Sequence, residues 1–157
     1  MTAGGEELRA LMRRFPAGVA VVGVDSDGER LALTIGTLIP LSLEPPLVGF
    51  AVRREAALHE LLRAAGSFGV SLLAASQQPL AQHFARGVPP IALWQGVSLR
   101  ETSGPPLLAG AIGWLTGRVA AEVQAGEDTF FVGEVRSVEG GAEERPLVYV
   151  DQRYLAS

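Results

Sequence analysis

The segment Leu31–Val52, LALTIGTLIPLSLEPPLVGFAV, constrains the fold more than any other part of this chain. Glu44 is its only charge, so its hydropathy approaches that of a membrane span. It cannot be one continuous helix. Pro40, Pro45 and Pro46 each remove a backbone donor and clash with the preceding turn. A strand, a loop of small residues and a second strand satisfy both the composition and the prolines. Around that loop lie Thr34, Gly36, Thr37 and Ser42, whose hydroxyls and accessible backbone suit a planar polar ligand. The active chemistry is placed here.

The flanking pattern extends this into an all-antiparallel reading. Leu8, Leu11, Met12 and Phe15 recur at helical spacing, with Glu6 and Glu7 at the favourable positive end and Arg13 and Arg14 at the negative end. Pro16 stops that helix. Val19–Val24 is a β-branched run closed by Asp25-Ser26-Asp27-Gly28, a turn cluster, and Leu31–Leu38 returns as its hairpin partner. Leu47–Val52 is a third strand. Leu58, Leu61, Leu62 and Ala65 mark a second helix with Gly66 as its stop. Phe68–Leu73 is a strand and Pro79–Phe84 a short helix. A long Gly- and Pro-rich loop, adjacent to a ligand or to another subunit, is expected over Ala85–Pro106. Ile112–Val123 and Phe130–Val138 are two long strands joined near Gly126, and Leu147–Val150 is a last short strand. About seven strands that do not alternate with helices argue against a doubly wound sheet. The expected fold is mainly β, an antiparallel barrel with two or three short helices, in one domain over residues 1–157.

The bulk numbers bound the partners. A chain of 157 residues supports one core. Its 48% apolar content and mean hydropathy of +0.26 are high, which predicts burial against a second copy, a homodimer. The net charge of −4 and the lack of a long basic run exclude nucleic acid as a partner. There is no cysteine, hence no disulfide, no cysteine–zinc site and no thiolate nucleophile. Neither a signal-peptide layout nor a membrane segment is read, and a cytoplasmic location is expected.

Side-chain chemistry is sparse. The two histidines, His59 and His83, sit on separate predicted helices without carboxylates at ligand spacing, so no metal site is expected. No serine has a nucleophile-elbow context and no glycine-rich phosphate loop is present. No catalytic side chain is identified. An enzyme built this way can leave the chemistry to a cofactor, supplying donors around a ring, a cation for a phosphate and an apolar wall.

Residue by residue, the chain resembles the flavin reductase-like family, the FMN-binding split-barrel group that includes flavoredoxins and the reductase components of two-component flavin monooxygenases. The resemblance starts at Phe15-Pro16-Ala17-Gly18-Val19 and continues through Leu33-Thr34-Ile35-Gly36-Thr37. Its most specific element is Leu41-Ser42-Leu43-Glu44-Pro45-Pro46-Leu47. Further matches are Phe68–Leu73, Ala81-Gln82-His83-Phe84-Ala85, Gly126–Val135 and Pro146-Leu147-Val148-Tyr149. The resemblance implies a split β-barrel of Greek-key type and an FMN-binding homodimer, with FAD as a possible replacement and NAD(P)H as co-substrate. It implies an NAD(P)H:flavin reductase that passes electrons through FMN to free flavin or to a partner oxygenase. The alternative is a flavoredoxin-like carrier without efficient NAD(P)H oxidation. By position, Thr34, Ile35, Gly36 and Thr37 would line the isoalloxazine and ribityl side, followed by Leu41 and Ser42. Ala51, Val52, Arg53 and Arg54 would approach the phosphate, and Phe84 and Arg86 would lie near that end. On their own, Arg53 and Arg54 read as a solvated strand end; the forked donors of arginine also suit phosphate. Glu55, Ala56 and Ala57 stand where the family commonly offers hydroxyls. Asp128 stands where many members carry a histidine on the nicotinamide side, and an acid there would tend to repel an anionic dinucleotide.

Overall fold

The computed structural model describes residues 2–156; Met1 and Ser157, the two ends of the expected domain, lie outside the described residues. Two strands, β1 (Ala17–Gly18) and β2 (Ala20–Ser26), follow the first helix, α1 (Gly5–Met12). β2 pairs with β3 (Glu29–Ile35) across a two-residue turn, Asp27-Gly28. Both turn residues have positive φ, 52° and 88°, the geometry that matches the right-handed twist of a hairpin. The Gly28 N–H donates to the Asp25 carboxylate at 3.0 Å, closing the turn that the Asp-Ser-Asp-Gly cluster announces. β4 (Ile39–Leu43) and β5 (Pro46–Arg53) form the second hairpin.

The remaining elements are α2 (Ala57–Ala65), β6 (Ser67–Leu72), α3 (Gln78–Ala85), α4 (Pro90–Leu93), β7 (Gly113–Ala125), β8 (Asp128–Gly140), β9 (Leu147–Val150) and β10 (Arg153–Ala156). Seven strands make one antiparallel sheet in the order β3-β2-β6-β7-β8-β5-β4, and β1-β9-β10 make a small second one. The large sheet curls until β3 lies against β5, though no ladder joins them. This is a split barrel, mainly β, as expected. No helix among the described residues is long and apolar enough to cross a membrane.

The core is organised around aromatic rings. Phe50, Phe68 and Phe131, on β5, β6 and β8, are fully buried. Phe68 meets Phe50 edge-on at 5.1 Å between centroids, and Phe131 lies 6.0 Å from Phe50. Phe68 occupies the space that side chains at Gly133 and Gly117 would fill. A Cβ on Gly133 would sit 2.4 Å from the ring, and one on Gly117 would sit 2.9 Å from it. α2 closes one mouth of the barrel with Leu58 and Leu62 buried, and its helix ends at Gly66 in the left-handed conformation (φ 72°), as the sequence predicts.

Three stretches differ from expectation. β4 lies where a loop is expected: Pro40 is tolerated there because β4 is the edge of the sheet and one side of it needs no donor. The Ala85–Pro106 segment contains the one-turn helix α4, and it is held down by packing. Leu93 is buried and the Trp94 indole donates to the Arg30 carbonyl at 3.0 Å. β10 is too short to read, and it forms a hairpin with β9 through Asp151 and Gln152, both at positive φ.

One apolar face remains open. Leu11 is 63% and Phe15 67% exposed, and α1 buries none of its residues. Leu43, at the tip of the β4–β5 hairpin, is 89% exposed.

The glycine beneath Phe68 yields a direct test. Gly133→Ala should lower stability by about 1–3 kcal/mol, the cost of overpacking a filled core. Urea unfolding would show a lower midpoint with an unchanged slope.

Candidate functional site

The expected ligand-binding stretch begins where β3 ends. The Thr34 hydroxyl donates to the Ala81 carbonyl at 2.7 Å, pinning α3 onto β3, while Ile35 points into the core. Gly36 and Thr37 leave the ladder. The Thr37 hydroxyl then takes both groups of Ala51: it accepts from the Ala51 N–H at 3.0 Å and donates to the Ala51 carbonyl at 3.3 Å. β4 pairs with β5 only as far as Gly49. Thr37 therefore substitutes for a missing strand at the split, and beyond it the Arg53 carbonyl accepts from the Ala56 N–H at 3.0 Å.

The other predicted residues fall around this seam in distinct environments. Leu41 is the irregular residue of β4, between the pairs Pro40–Val48 and Ser42–Leu47, and it is exposed. Ser42 is half-buried in the same strand. Val52 and Phe84 are buried, so their side chains serve as wall and packing. Phe84 packs on Trp94 at 5.4 Å and lines an apolar cleft of about 380 Å³ with Ala56, Ala57 and Leu33.

The cations separate. Arg53 is exposed and paired with Glu127 at 3.1 Å and Glu55 at 3.5 Å. Arg54 is in no ion pair among the described residues. It lines a polar cleft of about 280 Å³ with His59, Arg63, Glu122, Gln124 and Thr129. Arg86 lines a different cleft, of about 730 Å³, against the β9–β10 hairpin. The structure thus joins Thr37 to Ala51, ties Thr34 to Ala81 of the helix that carries Phe84, and sets Arg54 and Arg86 on separate clefts. Asp128 begins β8, paired across the sheet with both Arg53 and Ala125.

Sequence reasoning missed several groups here. His59 is a buried residue of α2: Nε2 meets the Thr129 hydroxyl at 2.7 Å, Nδ1 faces the Glu60 carboxylate, and the ring packs on Phe131. The hydrogen bond with His59 is the main reason Glu60 is held below the ordinary carboxylate range. Helical spacing could not reveal this, because Thr129 is on a distant strand. Tyr149 is the end of a motif already noted, but Arg153 and Gln152 carry no local signal.

The fold and seam define a class: an antiparallel split barrel whose seam is closed by a threonine hydroxyl, with guanidinium groups on the clefts around it. Comparison with known proteins makes the assignment specific. Residues 12–156 match the family described as flavin reductase like domain. The chain is 38% identical over 149 residues to the reductase component of 4-hydroxyphenylacetate 3-monooxygenase from Thermus thermophilus, covering 95% of this chain and 94% of that one. It is 33% identical over 152 residues to an NADH:FMN oxidoreductase of Rhodococcus erythropolis, covering 94% and 79%. The solved NADH:FAD oxidoreductase of Streptomyces globisporus superposes with a TM-score of 0.91 at 32% identity, covering 100% and 96%. The chain belongs to the flavin reductase-like family.

The residues present fit a flavin. The guanidinium groups of Arg54 and Arg86, in no ion pair among the described residues, are the donor type that a flavin phosphate requires.

The seam itself can be tested. Thr37→Val keeps the volume but strips Ala51 of both hydrogen bonds. An exposed pair of this kind should cost about 0.5–1.5 kcal/mol, measured by urea unfolding of the ligand-free protein.

Proposed function

We propose that this protein is an NAD(P)H-dependent flavin reductase that delivers reduced flavin to an acceptor such as a partner oxygenase. The observation that carries the reading is similarity along nearly the whole chain to reductases, in a fold whose split presents ligand donors. Bound FMN supplies a two-electron acceptor for the hydride of NAD(P)H. The chain's own residues bind and orient. Thr34, Ile35, Gly36 and Thr37, with Leu41 and Ser42, form the ring-side wall. Ala51, Val52, Arg53 and Arg54 carry the ribityl and phosphate side, and Phe84 and Arg86 close it. Thr37 keeps the end of β5 in register with the β3 exit, which holds donor positions fixed before the ligand arrives. Asp128, beside Arg53 in the sheet, lies on the nicotinamide side; Arg53 offsets part of its charge.

A homodimer completes this reading. The apolar face of α1, with Leu11 and Phe15 exposed, needs cover of the kind a second copy provides.

The test uses purified protein loaded with FMN. NADH or NADPH should bleach the flavin absorption anaerobically within seconds; slow bleaching alongside ready reduction by dithionite would leave only an electron carrier. Arg53→Ala should weaken FMN binding about tenfold, the scale of one charge-assisted hydrogen bond to phosphate. Unchanged affinity would remove Arg53 from the site. Sedimentation at micromolar concentration should give a dimer, and Leu11→Glu should shift it toward monomer.

A further inference from the structure

α2 and the start of β8 carry a group of side chains that the flavin reading does not use. His59 and Thr129 are buried, and both line the polar cleft of about 280 Å³ between α2 and the β7–β8 hairpin. The Glu60 carboxylate can only accept, so it takes the Nδ1–H of His59 and fixes the tautomer of the neutral ring. Nε2 is then the acceptor, and the Thr129 hydroxyl donates to it at 2.7 Å. Carboxylate, imidazole and hydroxyl form one hydrogen-bonded chain. That is the order in which a carboxylate orients a base and the base activates a nucleophile.

The surroundings hold this order. The His59 ring packs edge-on against the buried Phe131, with 5.5 Å between centroids. Glu60 is shared: one oxygen faces His59, and the other is 3.5 Å from Arg63, which also holds Glu122 at 3.2 Å. Two donors line the cleft with the hydroxyl. Gln124 pairs directly across the sheet with Thr129, so both side chains lie on one face. Arg54 is in no ion pair among the described residues. A carboxamide N–H and a guanidinium around a nucleophile are groups that stabilise an oxyanion.

We propose that Thr129, His59 and Glu60 form a hydrolytic site for small carboxylic esters, with Thr129 as nucleophile, His59 as general base and Glu60 as the positioning residue for His59. The Thr129 oxygen bonds to the acyl carbon while its proton passes to His59 Nε2. The bond from that carbon to the alcohol oxygen then breaks, and the alcohol leaves with the proton from His59. Water, losing a proton to His59, displaces Thr129 from the acyl carbon, and the hydroxyl regains its proton. Ester and water become acid and alcohol with no change in oxidation state, so the reaction uses neither flavin nor nicotinamide. A cleft of about 280 Å³ admits a short acyl group and excludes a long chain.

The probe is 4-nitrophenyl acetate, given to the full chain. Nitrophenolate should be released, and acid quenching followed by peptide mass spectrometry should find an acetyl group on Thr129. Thr129→Val and His59→Gln should each lower hydrolysis at least about a hundredfold, while Thr129→Ser, which keeps a hydroxyl, should retain it. Glu60→Gln should lower kcat about tenfold and leave KM unchanged, the split expected of a residue that acts through His59. His83, whose Nε2 meets the Leu93 carbonyl outside the cleft, controls for a bare imidazole: His83→Gln should hydrolyse as the parent does. Hydrolysis no faster than with free imidazole, no acetyl group on Thr129, or a Thr129→Val chain as active as the parent overturns the proposal. The acetyl group is read on the unsubstituted chain, so the test decides even if a variant at this buried position unfolds. Failure of NADH and NADPH to reduce bound flavin would instead defeat the reductase reading while ester hydrolysis stood.

Discussion

Phe68 lying on the glycine floor of β7 and β8 is the contact on which the rest of the barrel depends. The ring fills the space above Gly117 and Gly133 and meets Phe50 edge-on, and Phe50 leans in turn toward Phe131. Three neighbouring parts of the sheet, β6, the β7–β8 pair and β5, are thereby locked through side chains as well as through ladders. Because interiors pack near crystal density, a shift of one ring moves the strands that carry it. The end of β5, where Ala51, Val52 and Arg53 stand, is held from beneath by this cluster.

The seam above that cluster is made by a hydroxyl. Ala51 would be paired if β4 reached it, but the β4–β5 ladder ends at the Ile39–Gly49 pair and Thr37 takes the place of a strand there. A side chain closes the edge with two hydrogen bonds where a strand would otherwise run. Thr34 does related work on the other side by tying β3 to α3, so the segment that carries Phe84 and Arg86 follows β3. The cationic groups lie outward of these two ties. Arg53 is neutralised locally, while Arg54 and Arg86 face separate clefts. The division suits a protein that supplies orientation and electrostatics to a bound cofactor and places no acid–base pair of its own at the seam.

Much of this was legible in advance because it is local. The Asp25–Gly28 turn, the left-handed stop at Gly66 and the long β7–β8 hairpin are each specified by residues within a few positions of one another. β4 was not, because Pro40 argues against a strand unless it is known to be an edge. α4 was not, because one turn of helix has no period to detect and its stability comes from Leu93 and Trp94 meeting β3 and its surroundings. In the site, Thr34 and Thr37 could be picked out as hydroxyls near a loop, but their partners, Ala81 and Ala51, could not. His59 looked like an unremarkable helical residue until Thr129 was brought beneath it.

By itself, the sequence determined the class of the protein: a cysteine-free, proline-interrupted apolar segment and regularly spaced turn residues admit an antiparallel barrel and little else, and the order of motifs identifies the family. Those features act over short distances, through backbone dihedrals and donor loss, so they survive without a fold. Only the tertiary structure decided which arginines are neutralised and which stand free, that a threonine hydroxyl replaces a strand at the split, and that Arg86 shares a cleft with Arg153 and two tyrosines. Charge, hydrogen-bond pairing and cleft composition depend on groups far apart in the chain, and their separation in space is set only when the sheet closes.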